Sequence, residues 1–259
     1  MFKMILLMLI SLPCFGETIE TKVGQRATGY LGMGNMKGVK YVSDAMRAEA
    51  LPVSYDARKV EGLLPTIKDQ GSCGSCWAMG MVKSLEVSEA KFNANIGLNL
   101  SEQEMVSCNR DAAGCSGGYM SSARYLVEHG ITSETLFPYT ARNSGCRQQQ
   151  VVSMAKEFIL LGASNRSPSI DEMKTAILHQ GAIFVTVHAG DGWDGSGGRV
   201  TGCGRWQTNH IVNLVGWTET GDWIMANSWG KDWGNNGYAL VKFGCANIGQ
   251  EAGYVVAAP

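Results

Sequence analysis

Helical sequence patterns gather in the first half of the chain and strand patterns in the second, which predicts an α+β fold whose two parts meet at a cleft. Two bulk properties agree. The 259 residues leave room for one large domain or two modest lobes plus a processed segment, and 45% hydrophobic against 17% charged residues provides enough apolar surface to offset the entropy of ordering.

At the N-terminus, Lys3 precedes an apolar run over 4–12, Pro13 breaks it, and Cys14-Phe15-Gly16 supplies small residues around a cut before Glu17. Residues 1–16 therefore read as a cleaved secretory signal. The run is well short of the ~20 apolar residues a membrane span needs, so no membrane association is expected once it is removed. Secretion follows, or delivery to another oxidising or lysosome-like compartment, the periplasm in a bacterium. Residues 17–50 are rich in Gly and Met, with 30–38 reading as turns and a short helical piece near 43–49. Lacking a core of their own, they read as a short pro-region, the plainer alternative being a flexible linker. The texture changes at Leu51, where the folded domain, 51–259, is placed.

Residues 76–92 form a largely apolar helix, with Trp77, Met81 and Leu85 at helical spacing. Ser101-Glu-Gln-Glu104 and Ser169-Ile-Asp-Glu172 are capping boxes, in which a hydroxyl accepts from the third N–H of its helix and a carboxylate returns the bond. The first opens a short helix ending near Cys108; the second opens a helix to His179 that Gln180-Gly181 terminates. Between them, 121–128 starts another that stops at Gly130. Strands are expected over 182–189, 210–217, 223–227 and 237–242, all β-branched or aromatic and bounded by Gly, Asn or Asp.

Lys and Arg total 22 against 23 Asp and Glu, a net charge of −1, and no basic run is long enough to track phosphates. Nucleic acid is not an expected partner. Nothing calls for a partner subunit either, so a monomer is expected, and no cofactor is implied.

The chemistry concentrates at Gln70-Gly-Ser-Cys-Gly-Ser-Cys-Trp77. Two cysteines three apart are a redox pair, half of a zinc site, or one structural and one reactive thiol. Zinc fares worst, because Cys108 and Cys115 are too far apart for a second ligand pair and His129, His179, His188 and His210 are scattered. No metal site is expected. A redox dithiol wants a strand before it and parallel units after it, and 60–69 is not such a strand. The third reading has support elsewhere: C-G-[SA]-C-[WY] with His and Asn about 130–150 residues downstream is a protease signature, and Cys73-Gly-Ser-Cys-Trp77, His210 and Asn227 fit it.

From these residues the chain resembles the papain-like cysteine proteases. Leu51-Pro-Val-Ser-Tyr-Asp-Ala-Arg58, Leu100-Ser-Glu-Gln-Glu-Met-Val-Ser-Cys108, Gly114-Cys-Ser-Gly-Gly118, Asn209-His-Ile-Val-Asn-Leu-Val-Gly-Trp217 and Asn227-Ser-Trp-Gly-Lys-Asp-Trp-Gly234 follow in the family's order. The resemblance implies a two-lobed fold, with a helical N-terminal lobe and an antiparallel, β-barrel-like C-terminal lobe, and the active site between them. It implies a secreted endopeptidase acting on peptides or proteins through Cys76, with the pro-region as its own inhibitor. Cys76 opens a helix, whose N-terminus favours a thiolate. His210 would take the thiol proton and later protonate the leaving amine, Asn227 would orient the imidazole, and Trp229 would cover that bond. Gln70 would aim its amide, with the Cys76 N–H, at the developing oxyanion.

For substrate, Gly117 and Gly118 would let an extended peptide pair with the enzyme backbone. The resemblance puts Tyr119, Met120, Ala182 and Asn209 near the pocket for the residue two before the cut bond, which implies a hydrophobic or aromatic preference there, and Trp233 on the leaving-group side. The start at Leu51 and Pro65-Thr-Ile-Lys-Asp-Gln70 look most like cathepsin B, but the short stretch between Gly118 and Pro138 leaves no room for that enzyme's occluding insertion. Of eight cysteines, Cys14 leaves with the signal and Cys76 stays free. The resemblance pairs Cys73 with Cys115 and Cys108 with Cys146; Cys203 with Cys245 is less secure, because Cys245 is displaced relative to the family pattern. The competing classes are a ligase using the same nucleophile, a silent peptide-binding or inhibitory homologue, and a dithiol oxidoreductase through Cys73 and Cys76. His129 and His179 read as structural or surface residues at helix ends, and His188 has no assigned role.

Overall fold

The computed structural model describes residues 22–23, 26–42, 50–147 and 149–259. The 1–16 leader and the helical piece at 43–49 lie outside the described residues. In chain order the elements are β1 (Lys22–Val23), β2 (Arg26–Ala27), β3 (Lys40–Val42), β4 (Tyr55–Asp56), α1 (Cys76–Phe92), α2 (Glu102–Cys108), α3 (Arg124–Glu128), β5 (Ala155–Leu161), α4 (Ile170–Gln180), β6 (Ile183–Val187), β7 (His210–Trp217), β8 (Asp222–Ala226), β9 (Tyr238–Lys242) and β10 (Ala252–Ala257). A single 3₁₀ turn, Met120–Ala123, leads into α3.

α1 is buried from Cys76 to Glu89, so it tolerates polar residues only where each finds a partner. Ser84 and Ser88 accept from the Val255 and Ala257 N–H groups of β10 at 3.2 and 2.8 Å, and Glu86 accepts from the Leu100 N–H and from Lys68. Gly80 lets α1 approach β7: a Cβ there would lie 2.7 Å from Ile211. The Asn213 amide then donates to the Gly80 carbonyl at 2.9 Å. That close crossing sets the first turn of α1 opposite the start of β7.

The box at α4 forms in full, with Glu172 N–H donating to Ser169 Oγ and Ser169 N–H to Glu172 Oε2. At α2 only half forms, because the Glu104 carboxylate turns to the Thr132 N–H and the Tyr125 hydroxyl.

One sheet carries the order β3-β5-β10-β6-β7-β8-β9, with β4 also on β7. Its pairings are antiparallel except β3 with β5. Two main cores result, giving the two-lobed α+β architecture. One surrounds α1 with Trp77, Met81, Leu85, Leu126 and Phe184; the other fills the sheet side with Val185, Leu214, Trp217, Trp223 and Trp229. The disulfides are Cys73–Cys115, Cys108–Cys146 and Cys203–Cys245, and Cys76 is free.

The turns expected over 30–38 are a difference. Residues 28–33 carry no turn, Tyr30 bridges in parallel to Gly118, and the turn is confined to the Val39 N–H to Met36 carbonyl bond. Gly29 is there for close approach: a Cβ would stand 1.9 Å from the Gly74 carbonyl oxygen.

Candidate active site

The first turn of α1, the start of β7 and the segment after β8 converge. Cys76 and His210 are both fully buried, and Asn227 is 1% exposed. Asn227 Oδ1 accepts from the Ser228 backbone N–H at 2.8 Å, so that atom is the acceptor; His210 Nε2, 2.9 Å from it, must therefore donate. This leaves Nδ1 as the basic nitrogen, buried without a partner. Trp229 stacks on the imidazole, centroids 4.8 Å apart at 26°, and Trp193 meets it edge-on.

Residues 26–33 lie across this site. Gln70 Nε2 donates to the Ala27 carbonyl at 3.1 Å and to the Cys73 carbonyl at 2.9 Å, and Trp229 Nε1 donates to the same Ala27 oxygen at 3.0 Å. Ser228, unremarked in the sequence although it sits beside Asn227, fixes the Gln70 amide by donating to its Oε1 at 2.6 Å. The Cys76 sulfur receives a backbone N–H of Gly29. Gly29 and Tyr30 N–H both reach the Asn209 carbonyl, at 3.1 and 2.9 Å. Gly118 N–H donates to the Gly29 carbonyl and Leu31 N–H to the Gly118 carbonyl, each at 2.9 Å. Met120 and Ser121 N–H extend the ladder to the Gly32 and Met33 carbonyls.

Covered in this way, both titrating groups are driven to their neutral forms. Burial pushes the Cys76 thiol up to about 12 against the pull of four backbone N–H groups, and burial pulls His210 down to about 4 against the Asn227 bond. The ion pair expected from the sequence is therefore disfavoured while the segment is in place.

Residues 51–257 match the sequence family described as "Papain family cysteine protease". The chain belongs to the papain family of cysteine proteases. It is 36% identical over 216 residues to vignain of Vigna mungo, covering 79% of this chain and 57% of that one. It is 34% identical over 243 residues to cathepsin K of Gallus gallus, covering 87% and 68%. Procathepsin L 3 of Tenebrio molitor larval midgut superposes with a TM-score of 0.75 at 30% identity, over 87% of this chain and 75% of that structure. The chain spans less than two thirds of the length of vignain.

Within this papain-family chain, the residues read as substrate contacts fall into two groups. Gly117, Gly118, Met120, Asn209 and Trp229 meet the 26–33 segment, and Tyr119 lies against Gly34, where a Cβ would be 2.7 Å from its own. Gly117 (φ 128°) leaves room for Leu31, and a Cβ on Gly118 would strike the Trp77 ring at 2.4 Å. Ala182 is a correction: it lies just before β6, buried with Ala57, Leu63, Val87 and Val215 in a third core; Thr186 of β6 bonds Glu251. Trp233, expected on the leaving-group side, packs edge-on against Trp229 and donates to the Trp193 carbonyl. His188 Nδ1 faces the Gln207 carbonyl and His129 stacks on Tyr125, outside this arrangement.

Proposed function

We propose that the chain is a cysteine endopeptidase held latent by its own residues 17–50, with 51–259 as the active domain after secretion. The observation that carries this is that the Cys76 sulfur, at a helix N-terminus, receives the backbone N–H of Ile211, the residue next to His210, whose Nε2–H is bound by Asn227. With the segment gone, Nδ1 of His210 takes the thiol proton and the thiolate attacks the peptide carbonyl carbon. The oxyanion that forms is met by Gln70 Nε2–H and the Cys76 N–H, donors worth about 3 kcal/mol each when removed singly. Collapse breaks the C–N bond, Nδ1–H protonates the departing amine, and Cys76 keeps the acyl group as a thioester. Water, deprotonated by the same nitrogen, releases the acid and regenerates the thiol.

The segment copies parts of a substrate without being one. Its Ala27 carbonyl takes the Gln70 donor, but the sulfur faces the Gly29 N–H instead of a carbonyl carbon. Arg26 adds a bond to the Trp229 carbonyl at 3.1 Å. The test is a peptidyl thiol-reactive probe applied to the chain before and after limited proteolysis. Label on Cys76 only after the segment is cut, lost in Cys76→Ala and strongly slowed in His210→Ala, is expected. Turnover that survives Cys76→Ala refutes the reading.

A further inference from the structure

We infer that the cavity between Lys68 and Tyr139 is a site for a small organic cation with several N–H donors, an alkylammonium or alkylguanidinium, a role the peptidase reading does not assign. The cavity holds about 290 Å³, and its wall includes Glu102 at the start of α2, Glu134, and Met79 of α1. The donors around it are already spent. Lys68 uses all three of its N–H groups, on Glu86 Oε1 at 2.9 Å, the Leu100 carbonyl at 3.0 Å and Glu102 Oε1 at 2.6 Å. Lys83 donates to the Thr66 carbonyl at 3.3 Å. The Tyr139 hydroxyl donates to the Gln70 carbonyl at 2.9 Å, so the Ser75 hydroxyl, 2.5 Å away, donates to it in turn.

Acceptors are left over. Oε2 of Glu102 and Oε2 of Glu134 are both buried without a hydrogen-bond partner, although Oε1 of Glu102 takes Lys68 and Oε1 of Glu134 takes the Tyr139 N–H at 2.7 Å. The Glu102 side chain is 1% exposed, where an unpaired carboxylate oxygen is costly. Charge points the same way. Glu86, Glu102 and Glu134 share Lys68 and Lys83, three carboxylates to two ammonium groups, and burial biases Lys83 towards its neutral form. Burial also raises the pKa of Glu102 and of Glu134, as expected where negative charge is incompletely compensated. A metal ion does not suit the place, because among the described residues no group of three His, Cys, Asp or Glu is set to hold one. The volume exceeds that of an ion, Met79 offers apolar surface for an alkyl stem, and two orphaned oxygens suit a head with several N–H donors. Tyr139 borders the cavity and holds Gln70, so an occupant lies one residue from the active-site corner.

The experiment titrates the full chain calorimetrically with n-butylammonium and n-butylguanidinium chloride at constant ionic strength, with n-butanol as the neutral control and tetramethylammonium chloride as the cation without N–H. Saturable binding of at least one N–H cation and of neither control is expected. Glu134→Gln should weaken it about tenfold or more, because the amide sets its own N–H where the orphaned oxygen stands. No saturable binding, equal binding of a control, or an affinity that Glu134→Gln leaves unchanged overturns the inference. Hydrogen exchange of the parent chain decides the matter if that variant does not fold. Slower exchange at 99–104 and 132–140 with an N–H cation, and not with tetramethylammonium, is expected; unchanged exchange there overturns it. Neither measurement uses turnover, so a failure of the peptidase reading leaves the result intact.

Discussion

Gly118 carries two duties with no atoms to spare. Its N–H and carbonyl pair with Gly29 and Leu31, while its missing side chain leaves space for the fully buried Trp77, whose indole N–H is spent on the Gly114 carbonyl. Gly118→Ala is expected to lower unfolding free energy by about 1–3 kcal/mol, read from urea titration, because neither backbone nor ring can yield cheaply. A variant as stable as the parent would mean the ring has another rotamer open to it. At this scale the convergence of Gln70, Cys76, His210 and Asn227 was legible, because thiol, imidazole and amide chemistry restricts residue types and the flanking motifs are local. Ala182 was not. It lies just before β6, and four extended residue steps from Ala182 to Thr186 span about 13 Å.

Between elements, the decisive knot is ionic. Lys68 donates to Glu86 of α1 at 2.9 Å, to Glu102 of α2 at 2.6 Å and to the Leu100 carbonyl at 3.0 Å. Both carboxylates are 1% exposed, and burial raises the pKa of Glu102 against the pull of Lys68. Lys68→Met is expected to cost about 3–5 kcal/mol, since it strands two buried carboxylates, whereas exposed pairs such as Lys40 with Glu157 matter little. Thermal unfolding of the two single variants, Lys68→Met and Lys40→Met, gives the comparison, and equal small losses contradict it. The helices and the four expected strands were legible from period and caps, and α1 was found over its full extent. β5 and β10 escaped because Ala-Lys-Glu-Phe-Ile-Leu-Leu and Ala-Gly-Tyr-Val-Val-Ala are short apolar runs that periodicity alone cannot assign. β3 escaped for a different reason: three residues become a strand only because β5 offers them an edge.

For the molecule as a whole, the proposed latency would be coupled to acidity. His210 is held at about 4 by burial, against about 6.5 for an exposed ring. Its pKa is depressed in the covered state; above 6.5 neither state takes up a proton from solvent, since passing the thiol proton to the ring when the segment leaves changes no proton count, and the covered form keeps its full advantage. As pH falls through 6.5 towards 4, the uncovered state takes the proton first, and the covered form loses ground by about 3 kcal/mol at most. Cys76, pushed up to about 12, stays a thiol throughout this window. Amide protection of residues 27–33, corrected for intrinsic exchange, should fall between pH 7 and pH 5. Protection that is flat or rises over that interval contradicts the coupling.

The parallel pairing of β3 with β5 has one more consequence, for the fate of the protein once the segment has left. Lys40, Tyr41 and Val42 cap the outer margin of β5, whose residues Phe158, Ile159, Leu160 and Leu161 are all buried. Removing the cap bares a row of unpaired backbone groups beside apolar side chains, a template for any passing chain that can extend. Under the proposed activation, cutting the segment away and colloidal stability pull in opposite directions: at equal concentration the chain without the segment should scatter more light over time than the full chain, with aggregates seeded along β5.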